Sequence, residues 1–111
     1  MPKSAVHKFV LNGRAPKGEK EEQLFNTLPS HSLILESAYR EVMQSEPEFT
    51  NFTDTFCATL DYIFYSKNDF SPVEVLSFPE KSLILKTKAL PNISLPSDHL
   101  SIATKLVFKT K

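Results

Sequence analysis

Apolar and polar positions alternate most clearly from Thr59 to Ser66, where Leu60, Tyr62 and Phe64 fall on one side of an extended chain and Asp61, Ile63 and Tyr65 on the other. That period of two predicts a strand with an acid set among aromatic and aliphatic neighbours. Nearer the start the period is helical: Val6, Phe9 and Val10 share one face of a segment that Ser4 can cap and Gly13 can close in the left-handed conformation. Arg14 to Ser30 is polar, with Pro16, Gly18 and a charge run from Lys17 to Glu22, and predicts a surface loop with one turn around Glu21 to Phe25. Leu33 to Ala38 reads as a short strand, Arg40 to Glu48 as a polar connection closed by Pro47, and Phe49 to Phe56 as an ordered loop or edge strand. Lys67-Asn68-Asp69 supplies a turn, Val73 to Phe78 a further strand, and Pro79 with Glu80 can start a short helix reaching Lys86. Pro91 and Pro96 bracket a loop barred from helix and central sheet, and Ile102 to Phe108 is the closing strand.

These elements sum to about four strands and two short helices, an α+β or α/β pattern without a closed sheet. So few helices leave long strand edges unpaired, and partner strands are expected outside this sequence. The 111 residues make one domain or part of one, with a modest core, and nine Phe argue for packing rather than disorder. Thirteen basic residues balance thirteen acidic ones, so whole-chain charge predicts no polyanion partner. Residues 36–61 hold Glu36, Glu41, Glu46, Glu48, Asp54 and Asp61 against Arg40 alone, a pattern that suits an acidic cleft framed by lysines and equally a solvated face. The single Cys57 rules out an internal disulfide and a cysteine zinc site and reads as a small buried residue. No apolar run approaches a membrane span and no apolar signal core opens the chain, so an intracellular, cytoplasmic setting without membrane contact is expected. The two Asn-x-Ser/Thr matches at Asn51 and Asn92 then read as chance.

Two places carry candidate chemistry. Asp61 in its aromatic strand is costly unless paired, so it sits near a strand end or contacts a cation or an imidazole, or else lies on a solvent-facing strand face. Asp98-His99 sits on a proline-held loop before a strand, where catalytic groups concentrate, although a lone surface histidine fits the same position. His7 and His31 have no acid at a telling spacing and read as ordinary surface residues.

Leu60-Asp61-Tyr62 and Ser97-Asp98-His99 resemble the last two blocks of the exonuclease-endonuclease-phosphatase superfamily. Phe49-Thr50-Asn51-Phe52-Thr53 is similar to the Phe/Tyr-Thr-Asn-Tyr/Phe-Thr block of its deadenylase-like branch, which comprises the carbon catabolite repressor deadenylases, nocturnin, the Angel proteins and the 2′,5′-phosphodiesterases. Leu35 to Tyr39 resembles the Leu-x-Ser-Ala-Tyr segment, and Val6 to Gly13 the Val-Tyr-x-x-Leu-x-x-Gly helix, so that only residues 14–30 match weakly. The resemblance implies that His99 acts at a scissile phosphate as general base or by stabilising developing charge, and that Asp61 accepts its hydrogen bond and fixes its tautomer. It places Asp98 beside a magnesium site as a secondary metal-side residue, and Phe56 and Asn51 at the substrate, with Phe56 stacking on a base or else packing in the core.

The same family needs an upstream metal-binding glutamate and a Gly-Asp-Phe-Asn segment, and neither stands in residues 1–111. The chain is therefore expected to be the C-terminal fragment of an endonuclease/exonuclease/phosphatase domain, starting just beyond Gly-Asp-Phe-Asn and supplying part of a four-layer β-sandwich flanked by helices. As such it would be the C-terminal part of a magnesium-dependent 3′-exoribonuclease of the poly(A)-deadenylase type, or a related phosphodiesterase, acting on RNA or a nucleotide only when completed by the missing N-terminal portion or a protein partner. Whether it is an enzyme by itself stays open. The alternative is a non-catalytic remnant or a protein- or RNA-binding module; an unrelated RNA-binding domain is disfavoured by the lack of a basic-aromatic recognition motif.

Overall fold

In the computed structural model, which describes residues 1–16, 18 and 30–110, Ser4 and Gly13 bound the first helix as their chemistry requires. The Ser4 hydroxyl accepts the His7 amide at 3.2 Å, helix α1 runs Ala5–Asn12, and Gly13 turns left-handed at φ 73° while its amide reaches Phe9 O at 2.9 Å. A Cβ at Gly13 would lie 2.5 Å from the His31 carbonyl oxygen, so the returning chain can pack there only against glycine. Arg14 and Ser30 form an isolated antiparallel bridge; the turn expected around Glu21 to Phe25 lies outside the described residues.

The buried face of α1 differs from the expected one. Val6 is exposed, whereas Ala5 and His7 are buried. The His7 ring lies against Tyr62 and Phe64, with centroids 5.0 and 5.9 Å away, because imidazole offers a flat apolar body that a binary pattern scores as polar. His31 is likewise no free surface residue: its Nε2 meets Phe9 O at 3.0 Å and its ring stands edge-on to Phe9.

Strand β1 (Leu35–Ser37) runs straight into helix α2 (Ala38–Met43), where a polar connection was expected. Ser37 caps this helix and Gln44 ends it at φ 63°. Its one buried stripe, Ala38 and Tyr39, is too short to show as a period. Strands β2 (Asn51–Phe52) and β3 (Cys57–Ala58) form a small hairpin, closed where the Thr53 amide donates to Phe56 O at 2.7 Å. Cys57 is exposed there, against the expectation of burial.

The predicted strand from Thr59 to Ser66 enters a ladder only at β4 (Phe64–Ser66), antiparallel to β1 with Glu36 opposite Tyr65. Tyr62 and Phe64 nevertheless stack at 5.3 Å and 10°, as two residues of one strand face should. Strands β5 (Phe70–Val75) and β6 (Thr104–Phe108) pair antiparallel, with a register shift between Pro72 and Glu74 that leaves Val73 unpaired. Pro72 has no amide proton to give, and the bulge accommodates that loss. Between them lies helix α3 (Lys81–Ile84).

The described residues thus build an α+β arrangement of three helices and three two-stranded antiparallel sheets. Phe49, Ile84, Leu90 and Leu100 form a buried cluster, with Phe52, Phe78 and Leu95 packed on it. Each such side chain stabilises the fold by about 1.5–3 kcal/mol, and together they fix the loop that carries Asp98 and His99. The radius of gyration is 16.4 Å, against about 13 Å for a compact domain of such length. Apolar residues remain uncovered on β6, among them Leu106, Val107 and Phe108. Among the described residues no helix is long and apolar enough to cross a membrane.

Candidate functional site

Three short segments converge around Asp61 and His99. The first is Thr50-Asn51 at the start of β2. The Thr50 amide donates to Ala58 O at 3.1 Å and its carbonyl accepts the Leu100 amide at 2.7 Å. Asn51 bridges across to His99 on the other side, so β2 lies between the hairpin partner and the Ser97-Asp98-His99 loop. Phe52 adds two further bonds, its amide to Asp98 O and its carbonyl to the Leu90 amide, both at 3.0 Å.

The second segment carries Asp61. Its Oδ2 accepts the Thr50 hydroxyl at 2.7 Å and lies 2.7 Å from His99 Nδ1, across 38 residues of sequence. The acid that looked costly in an aromatic strand is therefore paired with an imidazole. In the third segment the Ser97 hydroxyl accepts the His99 amide at 3.1 Å, and the Asn51 side-chain amide donates to both Asp98 O and Asp98 Oδ2 at 3.3 Å.

Burial separates the roles these groups can take. His99 and Asp61 keep 43% and 34% of their side-chain surface, so the imidazole is open to a ligand. Asn51 is buried and faces Asp98, which makes it a holder of the loop more than a contact surface. Phe56 is exposed at the hairpin tip, so its ring is available for stacking and takes no part in the core. Beside His99 opens a cleft of about 460 Å³ with Phe78, Leu95 and Leu100 among its walls. The acids upstream do not form one acidic cleft: Glu36 pairs with Arg40, Glu48 with Lys81, and Glu46 is turned inward to the Ser37 hydroxyl and His7.

Electrostatically, the hydrogen bond that His99 donates to Asp61 holds the His99 pKa above its ordinary value, with Asp98 adding to the effect and burial opposing it. The folded chain therefore holds this proton more tightly than the unfolded chain. The stability it confers is complete below about pH 6.5 and is lost as pH rises through the elevated folded value. A ring titration followed by NMR should place the His99 midpoint above that of a free histidine, and Asp61→Asn should lower it. An unchanged midpoint in Asp61→Asn would contradict the pairing. With Nδ1 engaged as donor, Nε2 is the nitrogen left to take or give a proton, and it has no hydrogen-bond partner among the described residues. Tyr62, next to Asp61, is pushed up to about 12 by burial and by Glu46 and Asp61, and stays neutral across the working range.

No family model matches the chain. Individual relatives do. It is 40% identical over 106 residues to carbon catabolite repressor protein 4 homolog 4 of Arabidopsis thaliana, covering 95% of this chain and 24% of that protein. To the CCR4-Not complex 3′-5′-exoribonuclease subunit Ccr4 of Coccidioides immitis it is 33% identical over 116 residues, covering 99% of this chain and 15% of the relative. The human 2′,5′-phosphodiesterase 12 is 32% identical over 114 residues, 97% of this chain and 18% of that protein. The chain belongs to the deadenylase-like branch of the exonuclease-endonuclease-phosphatase superfamily. It spans less than a quarter of the length of these relatives.

The magnesium expected from the sequence resemblance can be tested against the donor set. Among the described residues no three His, Cys, Asp or Glu side chains gather closely enough to hold a metal ion. Asp98 Oδ2 is engaged by Asn51, and Asp61 Oδ2 by Thr50 and His99. The residues present do not fit a resident magnesium by themselves. Thr50 was singled out by no sequence argument beyond its place in the Phe49–Thr53 block; the only signal was a threonine preceding a strand, which carries no chemistry until its hydroxyl is placed.

Proposed function

We propose that this chain supplies the histidine-aspartate half of the active site of a 3′-exoribonuclease of the deadenylase type, or of a closely related phosphodiesterase. The observation that carries the reading is the 2.7 Å contact between His99 Nδ1 and Asp61 Oδ2, built from residues far apart in sequence and open to solvent on the ring side. In it, Asp61 fixes the tautomer that leaves Nε2 free, and His99 acts at the scissile phosphate, either as base toward a water or as a charge stabilising the transition state. Asp98, held by Asn51, orients water on the metal side. Phe56 stacks on a base of the RNA or nucleotide substrate, a contact that any base can make. In this reading magnesium belongs to the completed domain and takes its primary ligands from residues outside this sequence; among the described residues no three-ligand cluster is present.

The complete unit in this reading is a four-layer sandwich in which β6 and its neighbours meet further strands. Support comes from the expanded radius, from the uncovered Leu106, Val107 and Phe108, and from the small share of each relative that the chain spans. Those same uncovered residues favour, as a second reading, a module that binds another protein without catalysis.

A graft tests the two against each other. Placed in the Coccidioides Ccr4 in exchange for its matching stretch, this chain should restore magnesium-dependent trimming of a labelled oligoadenylate, whereas the chain alone should leave it intact. A folded graft without turnover would leave only the binding module. Turnover by the isolated chain that depends on His99 would mean that its site is already complete.

A further inference from the structure

Among the described residues, the segment that carries Asp61 has no partner strand where the acid sits. Between β3 and β4 the chain leaves the ladder, and the amides of Leu60 and Asp61 turn to one acceptor, the Thr50 hydroxyl, at 2.9 and 3.0 Å. The same hydroxyl gives its proton to Asp61 Oδ2 at 2.7 Å. A hydroxyl has one proton and two acceptor positions, and here all three are used. Thr50 is fully buried, so no water competes for them.

Its backbone is as fully committed. The carbonyl accepts the Leu100 amide at 2.7 Å, immediately after His99, and Leu100 is anchored in the buried cluster. One residue thus grips the acid through its side chain and the histidine's loop through its main chain. We propose that Thr50 is a positioning residue that sets the Asp61 carboxylate against His99 Nδ1. Its catalytic meaning rests on the function proposed above; its geometry does not. The need for such a residue follows from exposure. An ion pair open to water is weak when both side chains must be immobilised to form it, and a carboxylate already held by a buried donor removes half of that cost. Supporting hydrogen bonds of this kind select the tautomer of an active histidine elsewhere in enzyme and metal sites.

Substitution separates the hydroxyl from the shape. Thr50→Val keeps the outline and loses the bonds, Thr50→Ser keeps the bonds, and Thr59→Val removes another buried threonine hydroxyl, whose proton goes to Pro47 O at 2.5 Å and not to Asp61. The readout is the nitrogen-15 shifts of the His99 ring in the 111-residue chain, at a fixed pH where the ring is neutral, which report the population of each tautomer. The unsubstituted chain, Thr50→Ser and Thr59→Val should hold the proton on Nδ1. Thr50→Val should shift most of it to Nε2, the tautomer free imidazole prefers.

A folded Thr50→Val with its proton still on Nδ1 overturns the proposal, as does an equal shift in Thr59→Val or in Thr50→Ser. Where Thr50→Val fails to fold, the unsubstituted chain decides. The Thr50 hydroxyl proton should then appear as a separate, slowly exchanging NMR signal close to Asp61, and its absence counts against the assignment. In the graft described above, Thr50→Val should lower kcat about as far as Asp61→Asn with little change in KM. An inactive graft alongside an intact tautomer result refutes the proposed function and leaves the role of Thr50 standing.

Discussion

His99→Ala in the active graft is expected to lower kcat/KM by about 10²–10⁴, the range that a positioned general base or acid contributes. The ring is exposed and its loop is held by backbone bonds to Thr50 and Phe52, so the substitution removes chemistry without removing the loop. Asp61→Asn should fall in the same direction by a smaller factor, and mainly in kcat. Thr50 and His99 share one oxygen, Asp61 Oδ2, so an asparagine that places its amide nitrogen there donates to His99, favours the wrong tautomer and no longer accepts the Thr50 hydroxyl. The double variant should be little worse than His99→Ala alone, because an orienting residue has nothing left to orient. If His99 works as a base, activity rises with pH as the imidazolium loses its proton. Its elevated value places that limb at higher pH in the unsubstituted graft, and Asp61→Asn should move the limb to lower pH. A His99→Ala graft with undiminished kcat/KM would remove the histidine from the mechanism.

The strand-like pattern around Asp61 and the loop character of Asp98-His99 were legible because each is a local property: alternation in one case, proline punctuation in the other. The meeting of the two is not local. It depends on β2 lying between them, and β2 is only Asn51–Phe52, too short to alternate. Helix α2 escaped notice for a similar reason, since its buried Ala38 and Tyr39 follow directly on the three residues of β1, and its other apolar residues, Val42 and Met43, are exposed. Histidine is the other blind spot. His7 behaves as an aromatic core residue facing Glu46 at 3.8 Å, and nothing in its neighbours in sequence announces either fact. The exposure of Val6 and of the β6 residues is legible in neither pattern nor composition, because it depends on which elements distant in sequence pack against them.

Tyr39→Ala is expected to be the most damaging core substitution, at about 3–5 kcal/mol for truncating a buried aromatic. Tyr39 itself enters the sequence reading only by resemblance; its physical reason lies in three contacts. The Tyr39 ring stacks on Phe78 at 5.4 Å, its hydroxyl donates to Leu76 O at 2.8 Å, and that hydroxyl accepts the Ala103 amide at 3.4 Å. Leu76 and Ala103 are themselves joined at 2.8 Å where the β5 to β6 ladder ends, so Tyr39 ties helix α2 to the point from which the chain runs back to His99. Tyr39→Phe isolates the hydroxyl, which leaves the Leu76 carbonyl with one partner fewer and should cost about 1–3 kcal/mol. Urea unfolding of the three proteins should therefore order them as unsubstituted, Tyr39→Phe, Tyr39→Ala. Because Phe78 also walls the cleft beside His99, Tyr39→Ala should loosen that wall, while Tyr39→Phe keeps the ring and the cleft. Equal destabilisation in the two variants would mean that the hydroxyl, and not the stacked ring, holds α2 in place.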